Sequence, residues 1–176
     1  MVKWKIDTQH SEIQFKVKHM LISTVTGMFT RFNGFATTAD EYNFANAEVE
    51  LTIDVTSLHT NEEYRDEHLK SQAFFNIEQF PTITFRSTSL RKSNKKKNTF
   101  VLKGLLTIRD ATQTVELAAV LDGSAHHEGR QKIGFDVFGN VNRRDFGLSY
   151  NPLMEAGGMV VSEEVEIKAN IELIKL

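Results

Sequence analysis

The sequence predicts an all-β fold: about eight long antiparallel strands joined mainly as hairpins, in a sandwich or an up-and-down barrel, with one short helix inserted between two of them. Three observations predict it. Apolar and polar residues alternate along nearly the whole chain, turn signals separate the alternating runs, and one segment breaks the rhythm with helical spacing.

The first alternating run, "EIQFKVKH", puts Ile13, Phe15, Val17 and His19 on one face against Glu12, Gln14, Lys16 and Lys18. A strand follows at about 25–38. In "NAEVELTIDV", Ala47, Val49, Leu51, Ile53 and Val55 oppose Glu48, Glu50, Thr52 and Asp54. Further strands are expected at about 82–91, 99–109, 113–125 and 131–141, separated by "NKKKN" at 94–98, "RDATQ" at 109–113 and "HHEG" at 126–129. The last run sets Val165, Ile167, Ala169, Ile171 and Leu173 against Glu164, Glu166, Lys168, Asn170 and Glu172. Period two with one wet face marks antiparallel sheet rather than buried parallel sheet.

The exception is "TNEEYRDEHLKSQAFF", which predicts a helix over 61–71. Thr60 is placed to cap it, with Glu63 reaching back to the Thr60 amide and Asp66 pairing with Lys70 one turn on. Pro81 then returns the chain to extended backbone before "TITF".

Composition sets the outer bounds. A chain of 176 residues without a linker, repeat or low-complexity segment predicts one domain over 1–176. A net charge of -2 and pI near 6.3 give no general attraction to nucleic acid. With no cysteine, disulfides, thiolate catalysis and zinc–sulfur sites are excluded. No apolar run has the length of a membrane helix. The opening "MVKWKIDTQHSEIQF" has no apolar stretch of signal-peptide length, which predicts a cytoplasmic protein; a periplasmic one would require a leader removed from this chain. There are 13 Phe against 1 Trp and 3 Tyr, so the interior is greasy and has few polar handles.

The chemistry-bearing residues give no catalytic motif. His126 and His127 are adjacent, would point to opposite faces of a strand, and read as part of a solvated turn. His10, His19, His59 and His68 are scattered, so no metal site is expected. There is no GxSxG elbow, no GxGxxG and no GxxxxGK[ST], and no cofactor is expected. The basic run "RKSNKKK", Arg91 to Lys97, reads as a solvated hairpin tip; its sharper alternative is peripheral contact with anionic membrane lipid. In "NRRDFGLSY", Arg143 and Arg144 precede Asp145, and a structural Arg–Asp pair is the plain reading.

Several blocks taken together resemble the YceI-like family, lipocalin-like polyisoprenoid-binding proteins, almost end to end. "WKIDTQHSEIQFKVKHM" is similar to the family's first strand pair, and "VTGMFTRFNG" resembles its next strand, with Gly27, Phe29, Phe32 and Gly34 in place. "SLHTNEEYRDEHLKSQAFFNIEQFPTITFRS" carries the most specific block. "LKGLLTIRDATQTVEL" resembles its hairpin and "NRRDFGLSY" its Arg-x-Asp-Phe-Gly loop. The resemblance implies an extended eight-stranded antiparallel lipocalin-like barrel with the helix near one end. It also implies a hydrophobic small-molecule ligand in a long tunnel, an isoprenoid, a quinone tail or another long-chain lipid, commonly in a homodimer.

On that reading the tunnel lining is Phe15, Val17 and His19, then Phe29, then Val49, Leu51 and Ile53, with Phe85, Leu102, Leu106, Leu117 and Phe135 from the later strands. Ile13 belongs to the first row. Arg65, Asp66, His68, Arg143 and Asp145 are expected to anchor the helix and loop or to meet a head group. The expected function is non-enzymatic lipid binding, transport or storage. The alternatives are an enzyme acting on a lipid head group, using His68 with Asp66, Glu67 or Asp145, and a stress-related interaction module with the barrel as scaffold.

Overall fold

In the computed structural model, which describes residues 1–150 and 160–176, the alternating runs form one antiparallel sheet that closes on itself. Its first strands are β1 (Val2–Ile6), β2 (Glu12–His19), β3 (Ser23–Phe29), β4 (Phe32–Thr38), β5 (Glu48–Asp54) and β6 (Leu58–His59). Helix α1 (Glu63–Lys70) follows. The sheet is completed by β7 (Thr82–Lys92), β8 (Thr99–Ile108), β9 (Ala111–His127), β10 (Arg130–Asn142) and β11 (Val161–Lys175).

Six of these strands are halves of three long ones. β1 and β2 lie end to end along the same side of β11, with Ile6 opposite Leu173 and Glu12 opposite Asn170. β3 and β4 pair with β2 and β1, and β5 and β6 pair with β4 and β3. Counted this way the wall has eight long strands, each paired with the next and the last with the first. That is an up-and-down barrel, not a sandwich. Closure pairs the long strands on both sides, and among the described residues only the two-residue β6 keeps one side unpaired.

The expected strand 25–38 is broken at Thr30–Arg31, for a reason that lies in its neighbours. The next long strand turns through a 3-10 turn at Val55–Ser57, capped by the Asp54 carboxylate on the Thr56 amide. The Ser57 hydroxyl accepts from the Arg31 amide at 3.0 Å, and the Arg31 carbonyl accepts from the Asp54 amide at 2.9 Å. Residues 7–11 bulge out in the same way opposite Ile171 and Glu172, where the Asp7 amide reaches the Glu172 carbonyl at 2.8 Å. Three neighbouring strands thus have their backbone groups satisfied through a corner, which bends the sheet into a barrel.

Two turn expectations need correction. His126 and His127 finish β9, paired with Gln131 and Arg130, and the hairpin loop is Glu128–Gly129 alone. Both loop residues have positive φ, 52° and 74°, the geometry that follows the twist of the flanking strands. The capping box at Thr60 does not form either. The cap of α1 is Glu62, whose carboxylate accepts from the Tyr64 and Arg65 amides. Thr60 is taken up by Asp66, which is why Asp66 does not pair with Lys70.

One end of the barrel is closed by the connection from β4 to β5. It brings the Phe44 ring to 5.3 Å from Trp4 and 5.1 Å from Phe135, with Phe100 beside Phe135 at 6.2 Å. Trp4 is fully buried and donates its Nε1–H to Thr38 Oγ1 at 3.0 Å, so its one polar atom is satisfied. At this same end the "RKSNKKK" run turns the β7–β8 hairpin. The other end carries α1, the β2–β3 hairpin and the loop after β10.

A deep apolar cavity with a polar mouth

Between the aromatic floor and α1 the barrel encloses a cavity of about 670 Å³. That is within the range of sites that hold a small organic ligand. All twelve residues expected in the lining, from Phe15 and Val17 through Leu117 and Phe135, border it. Period two puts them there: side chains two apart share a face, and a one-residue slip would turn lysine and glutamate inward.

Space for the cavity comes from glycines on the wall. A Cβ on Gly27 would fall 2.1 Å from the Phe15 ring, and one on Gly104 would fall 2.4 Å from the Phe85 ring. Each phenylalanine therefore lies back against a neighbouring strand instead of crossing the lumen. Leu117 lies over Gly139 in the same way. Large apolar side chains line the wall and leave the axis of the barrel open.

The polar groups gather at the α1 end. Arg65 and His68, three residues apart on α1, border the cavity together with Leu69. The His68 ring stands edge-on to Phe74 at 5.5 Å and to Tyr150 at 4.9 Å. Phe75 reaches down to Phe29 at 6.3 Å, so the "AFF" segment places one ring at the rim and one inside. His19 and Ser23 border the cavity from the β2–β3 hairpin. Among the described residues no Asp, Glu or Lys lines it.

The five residues expected at the helix and loop take different roles. Asp66 does not border the cavity. Its carboxylate accepts from the Thr60 amide at 2.8 Å and from the Thr60 hydroxyl, and lies 3.5 Å from His59 Nδ1. Burial disfavours its charge, but the Thr60 hydroxyl and amide and His59 outweigh burial and hold its pKa below the usual aspartate value. Arg65 donates from Nε to Thr60 Oγ1 at 2.8 Å and from Nη2 to the Thr60 carbonyl at 2.7 Å. Thr60, Arg65 and Asp66 thus form one knot that ties α1 to the end of β6. Arg143 is buried, and its guanidinium donates to the carbonyls of Leu148, Tyr150, Val161 and Ser162. Asp145 is exposed; the expected Arg–Asp pair is absent, because Arg143 is given to carbonyls and Arg144 to Glu163 at 2.8 Å.

An expected result follows from the knot. Asp66→Ala should lower stability by about 1–3 kcal/mol at pH 7, the cost of leaving the buried Thr60 donors unpaired. Because the folded carboxyl has a lowered pKa, its stabilisation is present above about pH 3.9, the unfolded value, and is lost as pH falls through the folded one. Urea titrations of both proteins at pH 7 and pH 3 should show the gap narrowing in acid. A gap independent of pH would remove the carboxylate from this role.

The strongest candidate for a metal among the described residues lies elsewhere, at Asp7, His10 and Glu172. Lys132 Nζ already sits 2.7 Å from Glu172 and 3.3 Å from Asp7, so this cluster carries its own cation and fastens the bulge at residues 7–11.

A closed antiparallel barrel of eight long strands, with an apolar interior and a helix across one end, is a lipocalin-like barrel. The chain belongs to the YceI-like family, whose domain matches residues 4–173. A UPF0312 protein of Staphylococcus aureus (strain N315) is 33% identical over 172 residues, 98% of this chain and 97% of the relative. Among solved structures, BcnA of Burkholderia cenocepacia has a TM-score of 0.79 at 22% identity, covering 95% of this chain and 98% of that one. The YCEI protein of Campylobacter jejuni has a TM-score of 0.66 at 27% identity, covering 87% and 88%. A polyisoprenoid binding domain from Saccharophagus degradans, implicated in plant cell wall breakdown, has a TM-score of 0.69 at 14% identity, covering 98% of each chain.

Sequence reasoning missed Tyr150 and Phe44. Tyr150 ends the "NRRDFGLSY" block, where it reads only as a loop residue, and Phe44 lies in a connection outside any alternating row.

Proposed function

We propose that this protein binds a long-chain apolar lipid, a polyisoprenoid, an isoprenoid quinone or a fatty-chain compound, inside the barrel and carries or stores it without chemical change. The observation that carries this reading is the distribution of polarity along the cavity: apolar from the Phe44 floor to the rim, with polar side chains at the α1 end. That pattern suits a hydrocarbon chain with one polar terminus. Burying each CH₂ contributes about 0.8 kcal/mol gross, against association and ordering costs of roughly 4–15 kcal/mol. A ligand of useful affinity therefore needs many carbons. The likeness to the polyisoprenoid binding domain of Saccharophagus degradans agrees with this class of ligand.

Binding rather than catalysis is also favoured by the surroundings of His68. Its ring packs between Phe74 and Tyr150, while Asp66, the carboxylate expected to assist it, is held by Thr60 and His59. The test is organic extraction of the purified protein followed by mass spectrometry. Release of a stoichiometric long-chain compound is the expected result. Protein that releases none and takes up no prenyl, quinone or fatty-chain probe would end the reading.

A further inference from the structure

Among the described residues the charges at the cavity mouth are unbalanced in one direction. Two arginines border the cavity, Arg65 and Arg143, and no described Asp or Glu does. Arg143 has spent its donors on four carbonyls. Arg65 has not. Its Nε and Nη2 are fixed on Thr60, and its Nη1 has no hydrogen-bond partner among the described residues. No described carboxylate lies within ion-pair distance of it either, because the adjacent Asp66 is turned to Thr60 and His59. The guanidinium is held in one orientation, with no described carboxylate to compensate its charge and one edge left without a described partner. His68, one turn along the same face, is a second group whose ring nitrogens have no hydrogen-bond partner among the described residues.

Such a mouth selects for acceptors. An amine-headed lipid would meet cationic and aromatic groups and, among the described residues, no counter-charge. A neutral alcohol would leave the guanidinium unpaired once a ligand excludes water, and buried unpaired charge is costly. A single carboxylate can accept a charge-assisted bond from Nη1, the guanidinium edge that has no partner among the described residues. A diphosphate would bring more acceptor oxygens than the one unpartnered guanidinium edge among the described residues can donate to.

Depth limits the tail. From Leu102 near the floor to Ile108 at the rim is six strand residues, about 20 Å along β8 and about 15 Å along the axis of a tilted barrel. The α1 layer adds about 5 Å, half the width of a helix. A zigzag hydrocarbon with C–C bonds of about 1.5 Å advances about 1.25 Å per carbon, so about 16 carbons span the distance. Beyond that the Phe44 ring, wedged between Trp4 and Phe135, blocks the way.

We propose that the cavity takes an acid-headed single hydrocarbon chain, a long-chain fatty carboxylate, with the carboxylate on Arg65 and the chain end at Phe44. This rests on the lipid-binding reading above and narrows it. The experiment displaces a fluorescent fatty-chain probe from delipidated protein with palmitate, 1-hexadecanol, hexadecyl phosphate and docosanoate. Palmitate should bind about tenfold or more tighter than hexadecanol, the worth of one charge-assisted hydrogen bond. Arg65→Gln should erase that preference by weakening palmitate while hexadecanol binds as well as before or better, which loss of structure would not do. Arg65→Lys should keep part of it. Docosanoate should bind more weakly than palmitate.

Each contrary result has a distinct meaning. Equal affinity for palmitate and hexadecanol in the wild-type protein overturns the inference and leaves lipid binding intact, and this comparison decides even if the glutamine variant does not fold. Tighter binding of hexadecyl phosphate than palmitate overturns the carboxylate assignment. Docosanoate bound as tightly as palmitate overturns the floor at Phe44. Binding of none of the four overturns both this inference and the reading beneath it.

Discussion

Leu51→Trp should abolish lipid uptake in protein that still folds. Leu51 faces the cavity from the middle of β5, opposite Gly34 on β4 and Phe85 on β7. Phe85 already lies back over Gly104, so it cannot retreat further. Gly34 gives no room either: a Cβ there would fall 2.6 Å from the Glu50 carbonyl. An indole at position 51 has one direction open to it, the lumen, and there it fills the space proposed for the chain. Overpacking costs about 1–3 kcal/mol where a core must shift, and less where a cavity receives the added volume. The expected outcome is a cooperative unfolding transition near that of the wild type, with affinity for a sixteen-carbon probe reduced at least tenfold. Shorter chains should be affected less. Folded variant protein that binds the full-length probe normally would place the ligand outside this cavity. Failure to fold would instead show that the space around Leu51 is not available to an indole.

The contrast between Leu51 and Thr60 shows which parts of the molecule are legible in a sequence. The inward rows are legible because a side chain's face is set by parity, and parity survives any detail of twist or closure. Val49, Leu51 and Ile53 could face outward only by exposing themselves and burying Glu48, Glu50 and Thr52. The short polar residues carry no such rule. Thr60, Glu62, Glu63 and Asp66 all have side chains suited to a helix start, and the sequence does not say which backbone amides they will meet. The cap falls to Glu62 because Thr60 is still bound into the end of β6 and its hydroxyl is held by Asp66 and Arg65. The corner at Thr30–Arg31 is hidden for the same reason: it is imposed by the 3-10 turn on the neighbouring strand, 24 or more residues away in the chain. Phe44 is hidden differently. Nothing in its local sequence distinguishes a floor from a surface loop; only closure of the barrel brings it between Trp4 and Phe135.

Arg143 presents the largest expected loss of stability. Its side chain is 4% exposed, and it fastens three segments that meet at the mouth: the 3-10 turn Arg143–Phe146, residues 148–150, and the start of β11. Burial pushes its pKa down from the ordinary arginine value, with Glu163 opposing, yet the group stays charged because an arginine starts so high. Arg143→Met preserves the stem and removes the guanidinium, leaving four carbonyls without their donor. Hydrogen bonds from a charged donor are worth roughly 1.5–3 kcal/mol each, and water will reach the outer carbonyls, so the net loss should be about 3–5 kcal/mol. For a chain of this size that is a fall in Tm of roughly 10 °C. Arg143→Lys should recover less than half, since a single ammonium cannot span carbonyls that a planar fork reaches on two sides. Differential scanning calorimetry of the three proteins measures this directly. Because these donors are committed to carbonyls, palmitate affinity in the folded Lys variant should stay within about threefold of the wild type. A variant with an unchanged Tm and lost binding would move Arg143 from the wall of the barrel to its ligand.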